Sequence, residues 1–159
     1  MFINKITLSS FIAVFISTLI ISFCPFAANA DTKISPAVTQ QIFSKAQQNN
    51  NWKLAFATAQ HAQIVFMNVS PLTNPKNEIG MEKHKFDQII IIASGEGKAI
   101  LDGKTSLIKS GDMIFIPEGT LHNIVNLHQN KDLKIISIYS NTDIPAGSIY
   151  KTKIDEPTD

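Results

Sequence analysis

Three patterns of apolar and polar positions follow one another along the chain. Residues 6–23 are apolar apart from Thr and Ser. Residues 35–51 change to helical spacing. Ser35-Pro36 supplies an N-cap and a first-turn proline, Val38, Ile42, Phe43 and Ala46 fall on one face, and the polar run 47–51 ends the element. This short N-terminal helix is expected to lie on the outside of the strands C-terminal to it, with Trp52 packing it down. From Leu54 onward the pattern is that of strands: 64–69, 88–93, 98–101, 104–108, 113–116, 122–127 and 133–139 are short apolar or β-branched runs. Between them stand a loop over 71–80 with two Pro and two Asn, then Gly95-Glu96-Gly97, Asp102-Gly103, Ser110-Gly111-Asp112 and Pro117-Glu118-Gly119. Asp102-Gly103 is a strong two-residue hairpin signal. Short strands with turn signals about every 8–12 residues predict an all-β sandwich or barrel, with Phe66, Phe86, Phe115 and Ile124 in its core. Nothing repeats at a fixed period.

The first pattern reads as an address. Lys5 precedes the apolar run, and Ala28-Asn29-Ala30 follows it with small residues at the two positions a signal peptidase reads. The expectation is a secretory signal over residues 1–30, cleaved near Ala30, and a periplasmic or secreted product. A retained anchor is the competing reading, because the run is about long enough to span a bilayer; an uncleaved signal would be the only membrane contact. A lipid anchor on Cys24 is disfavoured by the bulky Phe23 before it. Cleavage would leave 129 of the 159 residues, with 13 Lys against 13 acidic residues and no Cys. Such a chain has no disulfide, no thiolate nucleophile and no sulfur ligand from cysteine. The expected organisation is then helix and linker over 31–51, a barrel over 52–153 and a C-terminal tail over 154–159.

Composition narrows the partners. All 14 basic residues are Lys, and the formal net charge is +1. Without Arg or a basic stripe, nucleic acid is excluded as a partner, and a phosphate clamp loses its best side chain. Hydrophobic content of 44% with 17% charged suits a packed globule.

The chemistry lies in one spacing. Gly111, Pro117, Gly119, His122 and Asn126 occupy the five defined positions of G-x5-P-x-G-x2-H-x3-N. Five fixed residues would match by chance on the order of once in 10⁴–10⁵ sequences. The pattern resembles the second conserved motif of the cupin superfamily. The first cupin motif, G-x5-H-x-H-x3,4-E-x6-G, is matched in altered form: counting back from Gly95 places Gln88 where Glu is usual, His84 at the second His and Glu82 at the first. Lys53-Leu54-Ala55-Phe56-Ala57-Thr58, Glu78-Ile79-Gly80-Met81-Glu82, Asp87-Gln88 and Lys151-Thr152-Lys153 are similar to a branch of small single-domain cupins, often labelled mannose-6-phosphate isomerase-like or flavonoid-dioxygenase-like. The resemblance covers roughly residues 52–153. It implies a double-stranded β-helix, the jelly-roll cupin barrel. It implies a site for one divalent transition metal (Fe, Mn, Ni, Zn or Cu) on Glu82, His84, Gln88 and His122, and a small-molecule ligand. Homodimers are common in the family. The branch usually carries His near Ile144 and at Tyr150, and this chain has neither.

The residues themselves leave roles open. His122 alone would read as a core or turn histidine; within a complete motif it reads as a ligand. Glu82 and His84 share a strand face if the period of two holds. Glu82 can ligate or act as a general base. Gln88 can ligate or hydrogen-bond a ligand or Glu82. Asp87 has the opposite parity and is expected to face out or cap the loop. Asn126 is expected to secure a turn, Asn123 to be structural, and His61 and His128 to be solvated. Two His and one carboxylate suit a redox or Lewis-acid metal. Two readings of function are open: a metal-dependent enzyme on a small organic molecule, a dioxygenase or isomerase, and a non-catalytic small-ligand or sugar-binding module. The missing Arg weighs against a phosphorylated sugar in either.

Overall fold

The computed structural model describes residues 36–71 and 77–157, within a compact unit Ile34–Asp159. The apolar run at 6–23, Cys24, the Ala30 cleavage site and Ser35 lie outside the described residues. Among the described residues one short helix, α1 (Ile42–Gln48), precedes nine strands: β1 (Lys53–Thr58), β2 (Gln63–Val69), β3 (Gln88–Ser94), β4 (Glu96–Leu101), β5 (Lys104–Lys109), β6 (Met113–Ile116), β7 (His122–Asn126), β8 (Leu133–Tyr139) and β9 (Ile149–Tyr150). They form two antiparallel sheets, β6-β3-β8-β2-β1-β9 and β5-β4-β7. No helix among the described residues is long and apolar enough to cross a membrane. The all-β expectation with one N-terminal helix holds.

Turn chemistry sets these strands. Asp102 and Gly103 both have positive φ, 46° and 80°, as a type I′ turn between twisted strands requires. Gly95 has φ 94°, and a Cβ there would lie 2.6 Å from the Asp132 carbonyl oxygen. Gly95→Ala is therefore expected to cost about 3 kcal/mol, combining αL strain with a backbone clash. Gly103, with open space around it, should lose only about 1–2 kcal/mol as Ala. Urea unfolding of the two variants checks the order; equal losses would show that the Asp132 contact does not matter.

Two apolar layers form. Between the sheets pack Trp52, Val65, Met67, Ile90, Ile92, Ile114, Ile116, Ile124, Leu133, Ile135 and Tyr139. On the outer face of the large sheet, Ala46 of α1 meets Phe66, Ala93 and Ile136. β3 and β8 are thus covered on both faces, which explains their unbroken Ile-rich runs. β5 is an edge strand, exposed except at Ile108, and reads as polar.

Three expectations are corrected, and a fourth, Phe66 as a core residue, holds on a different face. The helix begins at Ile42 and not at Pro36, because Gln41 sits in the left-handed region (φ 55°) and no helix can continue through it. Val38 is consequently 90% exposed and Phe43 half-exposed. Trp52 packs between the sheets and not against α1, and its indole N–H goes to Glu156. Phe66 is buried, but on the outer face beneath the helix and stacked on Phe56. Phe115 is 54% exposed, because its neighbours Ile114 and Ile116 take the inward positions of β6.

Candidate metal centre

The second motif builds one wall of the site. β6 ends at Ile116, the turn reverses the chain at Gly119 (φ 80°), and His122 opens β7 pointing inward. Its side chain is 2% exposed. Nδ1 lies 3.0 Å from the Thr120 carbonyl oxygen. A carbonyl only accepts, so Nδ1 carries the proton and Nε2 keeps its lone pair for a ligand.

The first motif supplies the other wall by a route that strand periodicity does not describe. Residues 80–87 form no regular strand. Glu82 is held by one bridge to His122, through reciprocal N–H···O bonds of 2.9 Å. His84 is held by Gly119, whose N–H donates to the His84 carbonyl at 2.9 Å. Each motif thus clamps the other. Asp87 adds to the clamp by accepting from the Glu118 N–H at 2.9 Å.

Glu82, His84 and His122 come together as expected, with potential ligand atoms all within 4.8 Å of one another. Glu82 Oε2 lies 3.4 Å from His84 Nε2 and 4.0 Å from His122 Nε2. Donors about 2.1 Å from one ion stand roughly 3.0–3.5 Å apart, so the first pair already fits and the second must close slightly. The His84 ring is fixed by Phe86, stacked at 4.8 Å, and by Tyr139 at 5.7 Å. Gln88 is fully buried at the start of β3; its Nε2 donates to Ser137 Oγ at 2.8 Å. Buried His84 Nε2, His122 Nε2 and Gln88 Oε1 all lack a hydrogen-bond partner. Buried polar atoms are rarely left so, and each costs about 1–3 kcal/mol. Among the described residues the only other such atom is Asn68 Oδ1. These three buried atoms, at three ligand positions, form a donor set suited to a cation.

Charge at the site is arranged around Glu82. Burial works against its ionisation, but the His84 contact, Lys53 and the two imidazoles outweigh this and hold its carboxyl below the usual range. Burial also lowers His122, helped by His84 and only partly opposed by Thr120 and Glu82, so the imidazole is neutral at pH 7. In the metal-free chain the unfolded state therefore binds more protons between the folded His122 value and its ordinary 6.5. Stability should rise with pH across that window and flatten above it. Glu82 adds an acid limb: its contribution is lost as pH falls through its lowered folded value. Urea unfolding from about pH 5 to 7 checks the His122 part, which His122→Asn should remove; an unchanged slope would place the titration elsewhere.

Two residues that the sequence did not assign to the site complete it. Lys53 is buried, ion-paired to Glu156, with Nζ 3.7 Å from Glu82 Oε1. Although burial opposes its charge, Tyr139, Glu82 and Glu156 raise its pKa overall. Tyr139 is fully buried, and burial pushes its phenol up despite Lys53 and Ser137. A charged residue at an inward position of β1 was the one available signal for Lys53; Glu156, 103 residues away, gave none. Elsewhere the expectations hold for Asn126, Asn123 and His61, but not for His128, which is half-buried. Asn126 donates to the Val69 and Lys131 carbonyls at 2.8 Å each and accepts from the His128 N–H. Asn123 bridges Glu78 and the Gly80 N–H. His61 is exposed.

Comparison with known proteins places this geometry. The family described as "Cupin domain" matches residues 73–139. The chain is 32% identical over 117 residues to the Bacillus subtilis protein YrkC, covering 69% of this chain and 60% of that one. It is 35% identical over 106 residues to a protein of Acanthamoeba polyphaga mimivirus, covering 64% of each. The matches thus span under two thirds of these curated relatives' lengths. A crystal structure of a Bacillus halodurans protein is similar with a TM-score of 0.71 and 27% identity, covering 79% of this chain and 96% of that one.

Proposed function

Because the chain belongs to the cupin superfamily, we propose that it is a metal-binding cupin whose barrel takes a small organic molecule. Glu82, His84 and His122 hold one divalent transition metal, and Gln88 Oε1 completes the set. The observation that carries this is the trio of buried, unpartnered atoms at His84, Gln88 and His122. A bound metal of this type supplies Lewis-acid or one-electron chemistry. The chain's own residues do the rest. Thr120 fixes the His122 tautomer, Phe86 and Tyr139 fix His84 and keep an apolar wall beside the site, and Glu82 is kept ionised by its His84 and Lys53 contacts.

This supports a dioxygenase or isomerase. A second reading, a module that holds its ligand without turnover, is favoured by Lys53 and Tyr139. Both are raised above their ordinary values and keep their protons near neutral pH, so neither is a general base. Oxygen uptake and product analysis of the metal-loaded chain against a panel of phenolic and carbonyl compounds separates the two. Turnover lost in Glu82→Gln supports the enzyme; saturable binding with no product supports the module. Export is proposed with either, on the Lys5, apolar-run and Ala30 pattern. A mature chain beginning at Asp31 by mass spectrometry supports it, and an intact N-terminus in the cytosol overturns it.

A further inference from the structure

Lys53 Nζ lies between two carboxylates. Its closer contact is Glu156 Oε1; Glu82 Oε1 stands 3.7 Å away. Glu156 has no freedom to leave, since its Oε2 accepts from the Trp52 indole at 2.8 Å. The segment that carries it is tied down as well. The short 3-10 helix Lys153–Asp155 is closed by a capping box between Thr152 and Asp155. Lys153 Nζ donates to the Ile79 carbonyl at 2.5 Å and to the Glu78 carbonyl at 3.3 Å, on the run that leads to Glu82.

An ammonium this close to Glu82 is a rival for any cation that needs the same carboxylate. Glu156 removes most of that rivalry by taking the ammonium itself. We propose that Glu156 is a positioning residue of the metal centre: it holds Lys53 away from Glu82, so that Glu82 turns Oε2 to His84 and His122 and stays available to a divalent cation. This rests on the metal reading above. Without the Glu156 charge, the buried ammonium has Glu82 as its nearest carboxylate, and Glu82 becomes a poorer ligand. The segment 153–156 is then part of the site and not an appendage to it.

The test is Co(II) titration of the full metal-free chain against a competing chelator, with His122→Ala as the control. Glu156→Gln should bind Co(II) about 10- to 100-fold more weakly than the unaltered chain, the range for residues that orient a ligand. Adding Lys53→Met to that variant should restore most of the loss, which no purely structural role for the ion pair would produce. Lys53→Met alone should bind no more weakly than the unaltered chain, and this decides the matter if Glu156→Gln does not fold. Unaltered affinity in Glu156→Gln overturns the inference, as does a double variant no tighter than Glu156→Gln or a weakened Lys53→Met. If the unaltered chain binds no Co(II), the metal reading falls and takes this inference with it. If it binds, and His122→Ala weakens binding while Glu156→Gln does not, the Glu156 role alone falls.

Discussion

His122→Ala and His84→Ala are each expected to lower divalent-metal affinity by more than about 100-fold, beyond the loss typical of a residue that merely supports a ligand. Each removes one of three donors within 4.8 Å, and neither leaves a substitute nearby. The metal-free proteins should nevertheless stay folded. Each substitution gives up ring contacts, and for His122 also the bond to Thr120, but it also removes a buried Nε2 that has no partner. Deleting an unsatisfied buried group returns part of what the lost packing costs. Chelator competition and far-UV circular dichroism on the same samples check both halves. Metal affinity that survives both substitutions would mean that these imidazoles are core residues with unusual surroundings.

Gln88→Glu is expected to act in the opposite direction. Gln88 offers the site a neutral oxygen, while a carboxylate there would add a full charge at a buried position. At an effective dielectric near 20, an extra charge about 4 Å from a divalent cation is worth about 8 kcal/mol before desolvation. A gain of about 10- to 100-fold in affinity remains after that cost. The metal-free variant should be less stable, because a second carboxylate joins Glu82 in a buried site and one of the two must take up a proton. The gap between metal-free and metal-bound melting temperatures should widen accordingly. An unchanged affinity would show that Gln88 serves only Ser137 and does not face the ion.

Much of this was legible in the chain because local chemistry and tertiary need agree. The hairpin at Asp102-Gly103, the strand stop at Pro117 and the reversal at Gly119 are dictated by backbone preferences, so β4 to β7 fall where the turns put them. The grouping of Glu82 with His84 was reached through a strand period that the chain does not follow there. What joins them is the bridge to His122 and the bond from Gly119, both long-range. Phe115 misleads because β6 is an edge strand whose outward face stays apolar. The helix start was obscured because nothing in the identity of Gln41 announces a left-handed residue. Lys53 and Glu156 were invisible as a pair, since no spacing links them and only the fold brings them together.

The central claim is that Glu82, His84 and His122 form a metal centre, and it is tested most directly by titrating the metal-free full chain with Co(II) while following its visible absorption. The account predicts saturation at about one Co(II) per chain, with absorption bands of a nitrogen- and oxygen-ligated ion that are absent from His84→Ala and His122→Ala. Absence of saturable binding, or the same bands in both variants, would contradict it.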